Sequence, residues 1–314
     1  QSPLSPATDS WQCDGSLSTN QQTDQHSRQT LHSFDVARQG YVNLLPVQQK
    51  KSKQPGDSLE SIIARQRFLQ AGYYQPLQAL ICQQIDSLLS NKQAEIEAEQ
   101  QKTSINWLDI GCGEGYYTQA IAQIESIDQL IAADISKPAV LAVAKASKLA
   151  KRLWLQNDHN SQAQSDNKKT AIYPMVTSAA NLPLSTNSIT GISSIFSPIL
   201  PTAFAEVLQE KGYLIIAKPD IGHLASVRNA LFDEVREHNS DKFLAELAPL
   251  FELIQTQYVS TELSLPAVAL EDLLTMTPYA YRAQPEKRQA LMKMTETEDF
   301  QTQTKFVIYV LQMK

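Results

Sequence analysis

The sequence predicts an α/β fold of the Rossmann type, in which helices flank a mostly parallel sheet. From residue 106 onward, short apolar and β-branched runs alternate with stretches that repeat apolar residues at helical spacing. Strands and helices that alternate in this way form parallel sheets. A glycine-rich turn at 111–115 directly follows the first strand-like run. Because glycine lets the backbone turn tightly and approach a ligand, this turn predicts a binding site at one edge of the sheet.

The N-terminal part is predicted to form a small separate module. Residues 1–30 are rich in Ser, Gln, Thr, Asp and Asn and have almost no apolar periodicity. We therefore expect them to be weakly structured unless another part of the chain holds them. Residues 32–55 carry short apolar clusters that favour a β-rich unit. The predicted domains are 1–55 and 56–314.

Two helices are predicted to open the main domain. The segment Asp57-Ser58-Leu59-Glu60 is typical of a helix start. The apolar residues that follow it at helical spacing are Ile62, Ile63, Phe68 and Leu69. A second helix is predicted over 75–89, where leucines and isoleucines form a similar stripe.

The alternation that follows predicts the sheet itself. Strands are expected near 106–110, 129–134, 172–176, 190–196 and 213–217, and helices near 116–124, 137–149, 202–209 and 224–238. The polar stretch 156–170 has neither glycine nor periodicity and is expected to be an exposed loop. Two further strands, 253–261 and 304–311, would complete a seven-stranded sheet, with a mainly helical insert near 268–293 between them.

The composition of the glycine turn favours S-adenosylmethionine over a dinucleotide. The glycines are spaced G-x-G-x-G rather than G-x-G-x-x-G, with one carboxylate before the turn and another inside it. Two carboxylates would repel a diphosphate, whereas they suit the ammonium and sulfonium groups of S-adenosylmethionine. A third carboxylate, at the end of the second predicted strand, suits a ribose diol. The predicted cofactor-binding residues are therefore Asp109, Gly111, Gly113, Glu114, Gly115 and Asp134.

The overall composition narrows the functional classes. Three cysteines (Cys13, Cys82 and Cys112) are far apart and odd in number, which argues against a disulfide framework and favours a reducing cytoplasm. No apolar run approaches the roughly 20 residues that a membrane span needs, so no membrane partner is predicted. The net charge of −6 means that a nucleic-acid binder would need locally concentrated positive charge.

One segment has such a concentration. Residues 46–56 contain Lys50, Lys51 and Lys53 and no acidic residue. Lysines at this density can neutralise phosphates without reading a base sequence. A solvated loop explains the charge equally well.

The chain resembles a specific family, the bacterial 23S ribosomal RNA guanine-N1 methyltransferases. The matching blocks beside the glycine turn are 34–35, 40–48 (GYVNLLPVQ), 55–58 (PGDS), 67–77 (RFLQAGYYQPL), 182–183 and 276–280 (MTPYA). The resemblance implies a class I S-adenosylmethionine-dependent methyltransferase fold with a small N-terminal module, 23S ribosomal RNA as the partner, and a homodimer. It also implies cofactor contacts from Tyr74, Gly113, Glu114 and His223.

The largest departure from the family lies at the N-terminus. Similar members carry a zinc module of the pattern C-x2-C followed by C-x3-H, and the corresponding positions here are Cys13, Ser16, Arg28 and His32. Neither a serine hydroxyl nor an arginine can replace a thiolate. We therefore predict a degenerate module without zinc, which packing of Trp11, Phe34 and Tyr41 would hold instead, or which would remain mobile.

The expected chemistry requires a general base that removes a proton, and an aromatic surface on which the guanine can stack. Guanine N1 carries a proton at neutral pH and must lose it. The catalytic residue is not identified by the sequence, and Asp220 and Asp57 are weak candidates that caps or turns explain better. A guanine taken out of a hairpin loop would stack on an aromatic ring, and the candidate rings are Phe196, Tyr279 and Tyr281.

Three functional hypotheses remain open. The first is the ribosomal RNA guanine-N1 methyltransferase. The second is a small-molecule methyltransferase, which would have no use for the three lysines. The third is a non-catalytic scaffold, which the altered zinc positions and the sequence Glu210-Lys211-Gly212-Tyr213 would suit, where relatives favour Lys-Pro-Gly-Gly.

Overall fold

A computed structural model describes residues 6–7, 10–12, 33–45, 55–98, 104–158, 170–233 and 242–314. Its main element is an eight-stranded sheet in the order β10-β11-β9-β8-β5-β6-β7-β4. The strands are β4 (Val42–Asn43), β5 (Asn106–Ile110), β6 (Gln129–Asp134), β7 (Ala171–Val176), β8 (Ile189–Ile195), β9 (Leu208–Pro219), β10 (Phe251–Leu265) and β11 (Phe300–Met313). Strands β4 to β9 run parallel, whereas β11 is antiparallel to β9 and β10 is antiparallel to β11.

This topology confirms the predicted fold class, a Rossmann-like sheet of the class I methyltransferase type. Strand order reverses between β5 and β8, where a crevice forms outside the carboxyl ends of the parallel strands. The count of seven strands was one too low, because Val42 and Asn43 pair in parallel with Met175 and Val176. A two-residue strand is too short to show a periodicity in sequence. It makes the end of the predicted N-terminal module one edge of the main sheet.

Helices cover both faces of this sheet. They are α1 (Leu59–Gln70), α2 (Gln75–Ala98), α3 (Tyr116–Ile121), α4 (Lys137–Asp158), α5 (Pro201–Val207), α6 (Ala225–Leu231), α7 (Lys242–Leu247), α8 (Ala267–Met276), α9 (Tyr279–Arg282) and α10 (Pro285–Met294). Helix α1 begins as predicted, since the Ser58 hydroxyl accepts a hydrogen bond from the Ser61 amide at 3.1 Å. Among the described helices, none is long and apolar enough to cross a membrane.

The N-terminal segment is more ordered in part than its composition predicts. The strands β1 (Pro6–Ala7), β2 (Ser10–Gln12) and β3 (Ser33–Asp35) form a small antiparallel sheet. In it Trp11 pairs with Phe34, and Phe34 packs against the core of the main sheet. These short strands meet the condition stated for residues 1–30, because β3 holds β2 by antiparallel pairing and β2 holds β1. Residues 13–32, 46–54 and 159–169 lie outside the described part.

Two apolar clusters hold the layers together. One packs α2, α3 and α6 and the insert helices against one face of the sheet, and the other packs α5, α7 and the N-terminal apolar residues against the opposite face. All residues of β5 and β8 are buried, as expected for central strands covered on both faces. Trp107 lies so close to Gly191 that a Cβ there would be 2.1 Å from its ring. This packing places the end of β5 firmly beside the end of β8.

The insert between β10 and β11 is helical, as predicted, and consists of α8, α9 and α10. It docks on α1, where the Arg67 guanidinium Nε donates to Asp272 Oδ2 at 2.9 Å. The Asp272 side chain is 4% exposed, and this ion pair raises the pKa of Arg67. The insert is therefore attached to the last turns of α1.

Candidate cofactor and substrate site

The glycine turn lies between β5 and α3 at the carboxyl edge of the sheet. Gly111, Gly113 and Gly115 all have left-handed backbone angles, with φ of +68°, +56° and +92°. A Cβ on Gly111 would lie 2.4 Å from Ser197 Cβ, and one on Gly115 would lie 2.9 Å from Val143 Cγ2. The turn needs glycine for both conformation and space. It leaves a backbone surface that a ligand can approach.

Asp134 ends β6 and holds this turn in place. Its Oδ2 accepts a hydrogen bond from the Gly113 amide at 3.0 Å, and its Oδ1 accepts from the Ser136 amide at 2.7 Å. Burial raises the pKa of Asp134, and these two backbone hydrogen bonds partly offset the effect. The predicted ribose-binding carboxylate thus lies directly beside the turn. Carboxylate oxygens have lone pairs for more than one donor, so it can still accept from a diol.

Asp109, predicted to bind the cofactor, lies buried at the end of β5. It is 1% exposed. Its Oδ2 accepts from Thr118 Oγ1 at 2.5 Å and its Oδ1 accepts from Ser193 Oγ at 2.9 Å. These bonds join the end of β5 to α3 and β8. The geometry gives this carboxylate an indirect role, which is to position the turn.

Glu114 points a buried, unsatisfied oxygen toward the site. Its side chain is 4% exposed, and its Oε2 has no hydrogen-bond partner. The nearest cation is Arg65 of α1, whose Nη1 lies 3.9 Å from that oxygen. Burial raises the pKa of Glu114, and the charge of Arg65 opposes this rise. A buried carboxylate oxygen without a donor is costly, so a cationic ligand group there would be strongly favoured.

The two carboxylates proposed as bases occupy different environments. Asp57 lies beside the turn and forms an ion pair with Arg65, with 2.7 Å between Oδ2 and Nη1. Its backbone carbonyl accepts from the Ser136 hydroxyl at 2.9 Å. Asp220 directly follows β9 and is half-buried. Its amide donates to the Lys305 carbonyl at 2.9 Å, and its carbonyl accepts from the His223 amide at 3.0 Å.

His223 lies next to β11 and is kept neutral. Its Nδ1 is 2.9 Å from the Lys305 carbonyl oxygen and 3.1 Å from the Lys305 amide nitrogen. Burial lowers the pKa of His223 to about 4. Its ring lies 4.6 Å from that of Phe306 and 6.4 Å from that of Tyr74. The imidazole therefore joins an aromatic cluster as an uncharged group.

This aromatic cluster lines the crevice beside the glycine turn. The ring of Phe196 lies 6.3 Å from Tyr74, 6.4 Å from Tyr117 and 5.3 Å from Phe306. Phe196 directly follows β8, is 43% exposed and has a φ of +55°, a conformation that is strained for a bulky residue. Tyr74 is 5% exposed, and burial raises its pKa well above the usual range. The accessible ring in this cluster is that of Phe196.

The other two predicted stacking residues lie on α9. Tyr279 is half-buried and packs against Phe232 with 5.8 Å between ring centroids. Burial raises the pKa of Tyr279. Tyr281 is 77% exposed. The structure thus gives Tyr279 a packing role and leaves Tyr281 on the surface of the insert.

Several predicted residues lie outside the described part of the chain. These are the lysines Lys50, Lys51 and Lys53 and the four family zinc positions Cys13, Ser16, Arg28 and His32. Within the described ranges, no group of three or more His, Cys, Asp or Glu side chains is arranged to hold a metal ion.

Arg65 and Phe306 are parts of the site that sequence reasoning missed. Arg65 stands three positions after Ile62, on the apolar stripe of α1, and a cation on such a stripe is a signal in itself. Phe306 has no comparable signal. Residues 306–311 are all apolar, so no alternation distinguishes the two faces of the strand. The position of Phe306 beside Phe196 depends on the pairing of β11 with β9.

Comparison with known proteins shows what this chain is similar to. Residues 12–53 match the zinc-ribbon family described as RlmA, N-terminal. A curated protein of Streptomyces fradiae named 23S rRNA (guanine(748)-N(1))-methyltransferase is 29% identical over 258 residues, which cover 82% of this chain and 80% of that protein. The protein YxjB of Bacillus subtilis (strain 168), whose name assigns it provisionally to 23S rRNA (guanine-N(1)-) methylation, is 28% identical over 297 residues, 91% of each chain.

A solved structure with a similar arrangement is the YcgJ protein from Bacillus subtilis. It has a TM-score of 0.41 and 16% sequence identity, and the match covers 70% of this chain and 96% of that one. The fold class of the present chain rests on its own strand order.

Proposed function

Because the chain is homologous over most of its length to proteins named 23S rRNA (guanine-N1)-methyltransferases, we propose that it is an S-adenosylmethionine-dependent enzyme of that kind. Its substrate would be N1 of a guanine in a hairpin loop of 23S ribosomal RNA. One observation carries the proposal beyond homology. The carboxyl edge of the sheet combines a glycine turn, an unsatisfied buried Glu114 oxygen and an accessible Phe196 ring.

The residues around the turn fit S-adenosylmethionine. Glu114 Oε2 lacks a donor, which the α-ammonium group of the cofactor would supply. Asp134 would accept from the ribose hydroxyls, while its bond to the Gly113 amide keeps the turn in position. Tyr74 and His223 present aromatic and neutral surfaces beside it. When bound, the cofactor supplies a methyl group on a sulfonium, which is the electrophile of the reaction.

The aromatic cluster would hold the target base. A guanine taken out of its loop can stack on Phe196, which lies at the carboxyl end of β8 and retains 43% exposure. The surrounding rings of Tyr74, Tyr117 and Phe306 fix the position of Phe196. Such stacking would align the N1 edge with the methyl group, and alignment is the main demand of an in-line transfer.

Asp220 is the better of the two candidate bases. Asp57 is already held by the Arg65 guanidinium, which occupies one of its oxygens. Asp220 stands at the carboxyl end of β9, one strand away from Phe196, and its backbone is fixed by Lys305. We propose that its carboxylate accepts the N1 proton.

RNA delivery is assigned to the N-terminal module and its lysines. Lys50, Lys51 and Lys53 would neutralise phosphates near the hairpin.

The zinc-ribbon match at 12–53 covers this segment, but a Cys, Ser, Arg and His set does not fit zinc. We propose that the module lacks the metal, and elemental analysis that finds one zinc per chain would contradict this. The homodimer and the cytoplasmic location belong to the same proposal, and light scattering would test the former.

The test combines purified protein with labelled S-adenosylmethionine and protein-free 23S transcript. Methylation at N1 blocks Watson–Crick pairing, so primer extension should stop at a single hairpin guanine, and nucleoside analysis should show 1-methylguanine. A reaction without cofactor is the control. Label only in a metabolite extract would favour a small-molecule methyltransferase, and cofactor binding without transfer to either substrate would favour a scaffold. Both outcomes contradict the proposal.

A further inference from the structure

The residue with the most unusual surroundings in this site is Arg65. It lies on the inner face of α1, and its side chain is 23% exposed. Its Nη1 is 2.7 Å from Asp57 Oδ2 and 3.9 Å from Glu114 Oε2. Its Nη2 donates to the Met276 carbonyl at 3.4 Å. The guanidinium therefore lies between the glycine turn and the end of α8.

The same guanidinium faces the open backbone of the turn. A Cβ built on Gly113 would lie 3.4 Å from Arg65 Nη1. The space above Gly113 is thus bounded on one side by the backbone and on the other by a cation. A ligand that lies against Gly113 must touch this cation.

The charges around this space are unevenly matched. One guanidinium, that of Arg65, has three carboxylates around it. Electrostatic interactions link it to the side chains of Asp57, Glu114 and Asp134. Arg65 is close to Asp57, but it is too far from Glu114 for a hydrogen bond. Between Arg65 and Glu114 there remains an acceptor without a donor, next to a cation that keeps further N–H groups.

An amino-acid end group complements this arrangement. It carries an ammonium and a carboxylate on one carbon, so it can give a donor to Glu114 and an acceptor to Arg65 at the same time. Guanidinium groups bind carboxylates through paired N–H donors in a fixed geometry. A dinucleotide or a plain nucleoside has no such pair of charges.

We infer that Arg65 binds the α-carboxylate of S-adenosylmethionine, while Glu114 binds its α-ammonium. This inference rests on the cofactor assignment made under the proposed function. Asp57 then serves as the fixed counterion that orients Arg65, and the Met276 carbonyl holds the other arm of the guanidinium. A competing role is that Arg65 only neutralises the neighbouring carboxylates and keeps Glu114 in place.

Two ligands that differ only in the carboxylate separate these roles. Calorimetry would measure binding of S-adenosylmethionine and of decarboxylated S-adenosylmethionine to the wild-type chain and to Arg65→Met, Arg65→Lys and Glu114→Gln. Arg65→Met should weaken S-adenosylmethionine about 10- to 100-fold, as expected for a charge-assisted hydrogen bond, and weaken the decarboxylated ligand less than about threefold. Arg65→Lys should lie between. Glu114→Gln should weaken both ligands, because both keep the ammonium.

The matched control is Arg67→Met, which changes the same residue type two positions along α1. Arg67 pairs with Asp272 and not with the turn, so the affinity for both ligands should stay within about twofold. Thermal unfolding of each variant establishes that the fold is intact. Equal weakening of both ligands in Arg65→Met, or no weakening of either, would overturn the inference. A wild-type chain that binds neither ligand would overturn the cofactor assignment itself, which is a distinguishable result.

Discussion

At the scale of single residues, the buried carboxylate of Asp109 joins the elements that surround the glycine turn. Its two oxygens accept from Thr118 and Ser193, and the Ser193 hydroxyl in turn accepts from the Trp107 indole N–H at 3.2 Å. These bonds tie β5, β8 and α3 together directly below the glycine turn. Because the whole network is buried, each partner is fixed by the others.

The titration of Asp109 should be visible in the stability of the protein. Burial raises its pKa to about 6 despite the two hydroxyl donors, whereas the carboxyl group of an unfolded chain titrates near 3.9. Between these values the folded state binds more protons than the unfolded state. The contribution of Asp109 to the free energy of unfolding should therefore fall as pH rises from about 4 to about 6.

The variant Asp109→Asn isolates this effect. Urea unfolding at several pH values should show the wild-type chain losing up to about 3 kcal/mol relative to the variant between pH 4 and pH 6. Above pH 6 the difference should be constant. A difference that does not vary over the whole range would show that Asp109 titrates normally.

At the scale of elements, the junction after β8 combines a structural and a functional demand. Ser197 packs against Gly111, and its hydroxyl donates to the Ile110 carbonyl at 3.0 Å. This contact forces the chain to turn sharply at Phe196, which takes the left-handed conformation. The strain persists because the bond of Ser197 to Ile110 and the rings around Phe196 hold this turn.

Two substitutions at Phe196 should separate strain from stacking. Phe196→Gly should be more stable than Phe196→Ala by about 1 kcal/mol, since glycine has no penalty for a positive φ. Both should lower kcat/KM for RNA methylation about 10-fold or more, because base stacking contributes about 1–3 kcal/mol. Chemical denaturation and the methylation assay measure the two effects.

A control for this experiment is Asn187→Gly. Asn187 also has a φ of +55°, but it is exposed and precedes β8 at the opposite edge of the sheet. Its substitution should leave methylation unchanged. Wild-type turnover in Phe196→Ala would refute the stacking role.

Elements were predictable wherever their periodicity is local. The starts of β5, β6, α1 and α4 were predicted from apolar spacing and a serine cap, and the structure confirms them. The last strands are longer than predicted, since β10 and β11 pair antiparallel from Phe251 to Leu265, with a bulge between Leu253 and Gln255. Pairing of this kind extends a strand over polar residues, and no local sequence pattern would place those residues in a strand.

At the scale of the whole molecule, the proposed function requires an acidic chain to bring RNA to a site that itself carries several carboxylates. The net charge is −6, so electrostatic attraction has to come from local groups such as Lys50, Lys51 and Lys53. In the proposed arrangement, the N-terminal module binds the phosphates and the sheet edge binds the cofactor and the base. The two functions should therefore be separable by substitution.

The triple variant Lys50→Ala, Lys51→Ala and Lys53→Ala tests this separation. RNA binding measured over a series of salt concentrations should weaken, and the slope of log K against log salt should become shallower by about 2, given about 0.7 per phosphate for single strands. Affinity for S-adenosylmethionine should not change. A matched variant with three surface glutamines changed to alanine, outside the 46–56 segment, should leave both unaffected. Equal loss of RNA and cofactor binding would contradict the division of roles.

Three properties are readable from the amino-acid sequence alone: the Rossmann-like class, the glycine turn with its flanking carboxylates, and the resemblance to the guanine-N1 methyltransferases that the curated homologues confirm. These properties are encoded locally, in periodicity, in residues that tolerate a positive φ and in short matching blocks. Only the tertiary structure decided that Asp109 faces inward, that Val42 and Asn43 add an eighth strand, and that Arg65 approaches Gly113 and Glu114. Each depends on contacts between residues distant in sequence, which pack together only once the helices and the sheet have assembled.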